Sequence, residues 1–111
     1  MRDQSTRIKD SKNTRNNDLI LMNFCAPWSS PCITQCSILE DLSAILQDCI
    51  DIERVYIDDP GYDPEQYNIN AVPTLCLFRK GKEIKRFIGV QQLDTLLEAI
   101  KANIENERCN A

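Results

Sequence analysis

The sequence predicts an α/β domain with a mixed central β-sheet flanked by helices. Residues 19–24 form a continuous apolar run, which is typical of a central strand covered on both faces. Residues 31–49 follow with helical periodicity and residues 52–57 form a second strand, which together predict a parallel strand–helix–strand unit. Residues 74–88 have the pattern of a hairpin. The hairpin adds antiparallel pairing, so the sheet is expected to be mixed.

The chain before the first apolar strand is polar and weakly patterned. Residues 5–9 are compatible with an edge strand, and residues 11–17 with a short helix. Residues 1–18 contain no apolar segment of the kind found in secretory signals. We therefore expect no such signal in this sequence.

Turn residues divide the second half of the chain. Asp-Asp-Pro-Gly at residues 58–61 ends the second strand, and residues 63–68 suit a short helix. Lys80-Gly81-Lys82 predicts a tight turn between strands at residues 74–79 and 83–88. The hairpin is therefore the last part of the sheet.

A final amphipathic helix is predicted over residues 91–105, after Gly89, because Leu and Ile recur there at helical spacing. We interpret residues 19–105 as one domain. Residues 1–18 would be a polar segment at its edge and residues 106–111 a polar tail.

Six cysteines occur without the regular spacing of a disulfide scaffold, and we expect mostly reduced thiols in a cytoplasmic protein. Cys25, Cys49 and Cys76 lie at apolar-patterned positions and are interpreted as buried small hydrophobic residues. Cys109 lies in the polar tail, so it is expected to be a free and accessible thiol.

Charge is arranged in blocks along the chain. Residues 40–67 carry nine acidic residues against one arginine, whereas residues 19–39 carry no charge. The acidic block is interpreted as a solvated face. No basic patch suggests nucleic-acid binding, and no apolar run reaches the length of a bilayer. We expect neither a nucleic-acid nor a membrane partner.

The turn between the first strand and its helix, Trp28-Ser29-Ser30-Pro31-Cys32, is where a reactive group is expected. Pro31 suits the first helical turn, and Ser29 or Ser30 can cap the free amides. Cys32 then lies near a helix N-terminus, where the helix dipole favours a thiolate.

From about residue 19 to residue 104 the chain resembles the thioredoxin family. Residues 24–32 (Phe-Cys-Ala-Pro-Trp-Ser-Ser-Pro-Cys) match the approach to the family's active site, which usually ends in Trp-Cys-Gly-Pro-Cys. Val72-Pro73-Thr74 matches the loop whose proline is cis in the family. Lys80-Gly81-Lys82 matches the hairpin turn, and Gly89 the glycine before the last helix. The resemblance implies a thioredoxin-like fold.

Departures from the family pattern concentrate at the active site. Ser29 stands where the family has its nucleophilic cysteine, and Asn23 where it has a buried acid. Ser37 replaces the proline that kinks the helix, and Arg54 occupies the place of a lysine near the acid. The resemblance makes Cys32 the resolving thiol, with its partner missing.

Ser29 blocks the two-cysteine cycle, because a serine hydroxyl needs a base and the chain contains no histidine. Three accounts remain open. Ser29 replaces a native cysteine of a protein disulfide oxidoreductase, or it is natural and Cys32 works alone or with Cys36. A Cys32–Cys36 bond would need distortion, since Cα atoms one helical turn apart lie near the upper limit for a disulfide. The third account is a redox-inactive peptide-binding or chaperone-like module.

The resemblance implies a thioredoxin-family protein of thiol–disulfide redox chemistry, and Ser29 predicts that the chain is inactive in the two-cysteine cycle. The resemblance implies a monomer with protein thiols or disulfides and a reductase as partners. A cis proline would leave backbone groups free to pair with an extended peptide. No cofactor is expected, and two thiols without histidine supply only half of a tetrahedral metal site. The implied groove is formed by Trp28, Pro31, Val72, Pro73 and Gly89.

Overall fold

Strands and helices alternate along the part of the chain that the computed structural model describes, which is residues 8–9, 18–46 and 49–104. In chain order the elements are β1 (Ile8–Lys9), β2 (Leu19–Cys25), α1 (Ser30–Leu46), β3 (Asp51–Tyr56), α2 (Pro64–Tyr67), β4 (Thr74–Arg79), β5 (Lys82–Ile88) and α3 (Leu93–Lys101).

The strands form one sheet in the order β1-β3-β2-β4-β5. β3 pairs in parallel with both β1 and β2, whereas β4 pairs antiparallel with β2 and β5. The mixed α/β sheet predicted from the sequence is confirmed. β2 is the central strand, as its unbroken apolar run indicated, and all seven of its residues are buried.

The two faces of β2 are buried in different clusters. Because side chains alternate along a strand, Leu19 and Leu21 lie on one face, where they pack with α1, α3 and the buried leucines of β4. Ile20, Met22 and Phe24 lie on the other face with Cys76 and the aromatic residues around α2. Each face continues to the carboxyl end of β2, and the polar residue Asn23 follows Leu21 on the α1 face.

Several element boundaries differ from the predictions by one or two residues. α1 begins at Ser30 rather than at residue 31, and β5 begins at Lys82 because that residue pairs with Arg79. α3 begins at Leu93 rather than at residue 91, because the Gln91 backbone bonds to a side chain of α1. The helix predicted over residues 11–17, most of the strand predicted over 5–9, and the Cys109 thiol lie outside the described residues.

The interpretation of Cys49 as a reduced, buried residue is wrong. Cys49 is half-buried at the edge of the core, and it is disulfide-bonded. An apolar-patterned position predicts that a cysteine packs against the core, and it does not determine whether the sulfur is paired. Cys25, Cys32, Cys36 and Cys76 are free thiols.

None of the helices within the described ranges has the length and apolar character that crossing a membrane requires.

Candidate functional site

Ser29 caps the N-terminus of α1. Its side chain is buried, and the backbone N–H of Cys32 donates to Ser29 Oγ at 3.3 Å. The same N–H lies 3.1 Å from the Ser29 carbonyl oxygen. Because Pro31 has no N–H, Cys32 carries the amide that the cap satisfies in the first turn. The hydroxyl of Ser29 therefore serves the helix as a hydrogen-bond acceptor.

Cys32 is enclosed by the turn that leads into α1. Only 2% of the residue is exposed, and its Sγ accepts a hydrogen bond from the Ala26 backbone N–H at 3.3 Å. We call residues 26–32 the Ser29–Cys32 turn. In this turn the thiol is held against backbone and withdrawn from solvent, which limits its access to a large substrate.

The Pro73 loop and Gly89 lie at the same end of the sheet as this turn. Phe24 pairs with Thr74, and Thr74 pairs with Ile88, so the segments that continue beyond these residues are neighbours. The Val72–Pro73 peptide bond is cis, and the Gly89 N–H donates to the Pro73 carbonyl at 2.9 Å. Gly89 has a φ of +90°, a conformation that favours glycine.

Trp28 and Val72 differ in exposure at this end of the molecule. Trp28 is 71% exposed, whereas Val72 is half-buried and Pro73 is buried. Pro31 is exposed at the start of α1. The sheet end therefore presents a large aromatic side chain beside a backbone loop.

Gln35 is a site residue that the sequence reasoning missed. Its buried side chain donates to the Gln91 carbonyl at 3.1 Å and accepts from the Gln91 N–H at 2.7 Å. These two bonds join α1 to the segment that follows Gly89. A signal was present in the sequence, because Gln35 lies on the same helical stripe as the buried residues Leu39 and Leu42.

Four side chains beneath the first turns of α1 form what we call the thiol cluster: Asn23, Cys25, Cys36 and Arg54. Asn23 Nδ2 donates to Cys36 Sγ at 3.7 Å, and Cys25 and Arg54 also act on the pKa of Cys36. Cys36 is half-buried, whereas Asn23 and Cys25 are fully buried. Within the described residues Asn23 Oδ1 has no hydrogen-bond partner.

The thiol cluster gives its two cysteines opposite acidities. The hydrogen bond from Cys25, together with the charge and hydrogen bond of Arg54 and the Asn23 amide, lowers the pKa of Cys36 to about 6 although burial acts against it. The same hydrogen bond to Cys36 and the burial of the side chain raise the pKa of Cys25. These neighbours therefore favour the thiolate form of Cys36 and the protonated form of Cys25.

A separate cleft of about 530 Å³ lies on the opposite face of the sheet, lined by Ile20, Tyr67 and Arg86 among others. None of the residues predicted to form the site lines this cleft. Arg86 pairs there with Glu83 at 2.7 Å. Burial raises the pKa of the neighbouring Cys76 to about 11, so that this thiol is protonated at neutral pH.

The predicted site residues thus fall into three connected groups. The first is the Ser29–Cys32 turn, the second is the Pro73 loop with Gly89, and the third is the thiol cluster, which contains the predicted supporting residues Asn23, Cys36 and Arg54. No set of three or more Cys, Asp or Glu side chains that could hold a metal ion occurs within the ranges the structure describes.

A mixed sheet, a helix that begins over a cysteine after the central strand, and a proline loop at the same sheet end define a thioredoxin-like domain. The structure matches a mutant thioredoxin from Halobacterium salinarum with a TM-score of 0.73 and 28% identity, covering 83% of this chain and 80% of that one. The family model described as Thioredoxin matches residues 6–102. The chain therefore belongs to the thioredoxin family.

Bacterial relatives give the same result. The thioredoxin of Chlamydia caviae is 39% identical over 82 residues, which are 74% of this chain and 79% of the relative. The thioredoxin of Rickettsia prowazekii is 33% identical over 85 residues, covering 77% of this chain and 81% of the relative. Thiol–disulfide redox function is consistent with these similarities.

Proposed function

We propose that this chain takes part in thiol–disulfide redox chemistry but does not complete the family's two-cysteine cycle. The observation that carries this proposal is the capping bond, in which Ser29 Oγ accepts the Cys32 N–H at 3.3 Å. The position of the nucleophile holds a hydroxyl that stabilises the helix. Cys32, to which the resemblance assigns the resolving role, is buried beside it.

The chemistry of the turn supports this proposal. A serine hydroxyl attacks a disulfide only when a base removes its proton, and the chain has no histidine. A resolving thiol acts only after a mixed disulfide has formed at the first position. With Ser29 in that position, a protein disulfide in the groove meets no thiol at the first position with which to begin the two-cysteine cycle.

The groove proposed for protein partners consists of Trp28, Pro31, Val72, Pro73 and Gly89. The register of β2, β4 and β5 supports it, because it places the turn and the Pro73 loop at one sheet end. The partners would be extended segments of proteins that carry thiols or disulfides, together with a reductase if the cycle is restored. A monomeric state and a cytoplasmic location stay predictions.

Insulin disulfide reduction tests the proposal. The unaltered chain is expected to show no turnover. Ser29→Cys is expected to restore turnover, because it places a thiol at the helix N-terminus. Ser29→Ala is the matched control and should remain inactive. Turnover by the unaltered chain, or a folded Ser29→Cys variant without any activity, would contradict the proposal.

A second candidate is a peptide-binding module without redox activity, which the 71% exposure of Trp28 favours. Trp28 is the single tryptophan of the chain, so its fluorescence reports on the groove alone. Titration with a cysteine-free extended peptide should give a saturable fluorescence change if this candidate is correct. An unchanged spectrum would exclude it.

A further inference from the structure

The thiol cluster joins residues from three elements that face one another. Asn23 and Cys25 follow Leu21 on the α1 face of β2, because alternate side chains of a strand lie on the same face. Arg54 is the register partner of Asn23 on the parallel strand β3. Cys36 lies on α1 and receives the Asn23 amide at 3.7 Å. The cluster is therefore a product of the sheet register and of the packing of α1.

Cys36 and Cys25 are suited to the two different roles in thiol–disulfide exchange, which are attack and resolution. Cys36 is half-buried and so within reach of a small molecule, while Cys25 is fully buried. Cys25 lies two residues after Asn23 on the same face of β2, and the Asn23 amide donates to Cys36 Sγ at 3.7 Å, so the two thiols are neighbours. Exchange needs one thiolate that attacks and a second thiol that resolves the mixed disulfide, and this pair supplies both.

We propose that Cys25 and Cys36 form a redox-active dithiol that small-molecule disulfides oxidise to an intramolecular disulfide, separately from the Ser29–Cys32 turn. The Cys36 thiolate attacks one sulfur of the small disulfide, whose S–S bond breaks, and a mixed disulfide and one small thiolate result. Cys25 then attacks Cys36 Sγ, which breaks the mixed disulfide. The proton of Cys25 passes to the departing sulfur, which leaves as the second small thiol. Two protein thiols are oxidised, and one small disulfide is reduced to a thiolate and a thiol.

Cys25 is a better partner for Cys36 than Cys32 is. Cys32 Sγ accepts the Ala26 N–H, so it is held by the backbone of the turn. Cys32 and Cys36 also lie four residues apart on one helix, a separation near the upper limit of disulfide geometry. The inference goes beyond the proposed function, because it concerns thiols that neither Ser29 nor the groove involves.

Peptide mapping of the oxidised full chain tests this proposal. The chain is incubated with oxidised glutathione near neutral pH, quenched with acid, alkylated under denaturing conditions and cleaved with chymotrypsin. Cleavage after Trp28 separates Cys25 from Cys36, so a bond between them links two peptides. We expect two thiols to be lost per chain and the linked peptides to appear, with the alkylated cysteine of the second peptide at Cys32, as fragmentation of that peptide shows. A bond between Cys32 and Cys36, or no new bond, would overturn the proposal.

Two variants distinguish attack from resolution. Cys25→Ser removes the resolving thiol, so a glutathione adduct should accumulate on Cys36 and persist. Cys32→Ser is the matched control and should leave the Cys25–Cys36 bond intact. Loss of that bond in folded Cys32→Ser, or an adduct that settles on Cys32 in Cys25→Ser, would refute the assignment. Mapping of the unaltered chain decides the matter if a variant does not fold.

This test is independent of insulin reduction by Ser29→Cys. If the Cys25–Cys36 bond does not form while Ser29→Cys gains turnover, the proposed function stands and this inference fails. If the Cys25–Cys36 bond forms while Ser29→Cys gains no turnover, the dithiol inference stands and the proposed function loses its support.

Discussion

Two thiol regions lie at the N-terminal end of α1, and their surroundings differ. In the Ser29–Cys32 turn, Cys32 accepts a single backbone N–H and is 2% exposed. In the thiol cluster, Cys36 is half-buried and bonds with Cys25, Arg54 and the Asn23 amide. The first region occupies the position where the family motif predicts chemistry, and the second does not. The reactivity of a thiol therefore follows from its neighbours more than from its place in a motif.

The neighbours of Cys36 explain much of the contrast. The hydrogen bond from Cys25 is the largest cause of the lowered pKa of Cys36, and Arg54 adds its charge and a further hydrogen bond. Arg54 also lies over the Tyr56 ring at 5.3 Å. Asn23, which the resemblance aligns with the family's buried acid, adds a donor without adding a negative charge beside the sulfur. An amide at this position therefore favours a thiolate at Cys36.

Among replacements that leave both thiols in place, that of Arg54 should have the largest effect on this contrast, because its charge and hydrogen bond both lower the pKa of Cys36. Arg54→Met keeps an apolar stem but removes the charge, so the pKa of Cys36 should rise toward the ordinary range. Alkylation of Cys36 near pH 6 should slow several-fold, because the thiolate is the nucleophile. Arg54→Lys keeps the charge, so it should slow the alkylation of Cys36 less than Arg54→Met does. Equal rates in the Met variant and the parent would show that Arg54 does not set the acidity.

Gln35→Leu tests whether the hydrogen bonds between Gln35 and Gln91 affect stability without affecting the pKa of Cys36. The change leaves the Gln91 N–H and carbonyl without their partner, so the free energy of unfolding should fall by about 1–3 kcal/mol. Urea denaturation measures this loss, and the exposed neighbour Thr34, changed to Ala, is the control. The pH dependence of Cys36 alkylation should not move. A stability equal to that of the parent would show that these bonds are not needed.

Ser29→Ala should have the smallest effect of the three changes, and it should act on stability alone. Loss of the cap on the Cys32 N–H is expected to lower the free energy of unfolding by about 1 kcal/mol. The exposed residue Ser30, changed to Ala, is the control and should be nearly neutral. Cys36 alkylation should be unchanged in both variants. A Ser29→Ala variant as stable as the Ser30→Ala variant would contradict the capping role.

Sequence patterns were sufficient for the strands, because the apolar runs of β2 and β4 are buried on both faces and leave little ambiguity. The family's motif order predicts that the Ser29–Cys32 turn is the site, and this assignment stays a prediction. Cys25 was interpreted as a small hydrophobic residue, and it is buried as expected. The interaction of the Cys25 thiol with Cys36 depends on how α1 lies across β2, which local patterns do not specify.

Two further features illustrate the same limit. Gln35 occupies an apolar stripe, so its burial could be predicted, but its bonds to Gln91 depend on a segment far along the chain. Cys49 followed the apolar pattern too, yet it lies at the rim of the core and is disulfide-bonded. In both cases a periodic pattern indicates which way a side chain faces, and tertiary packing decides what it contacts.

Site-resolved alkylation of the unaltered folded chain, measured at Cys32 and Cys36 as pH is varied, tests the contrast between the two thiol regions most directly. Because the pKa of Cys36 is lowered, its thiolate should persist as pH falls and be half lost near pH 6, with Cys32 labelled slowly throughout. An ordinary thiol would lose its thiolate around a pKa of about 8.5. Ordinary titration of Cys36, or labelling of Cys32 as fast as Cys36, would contradict the account.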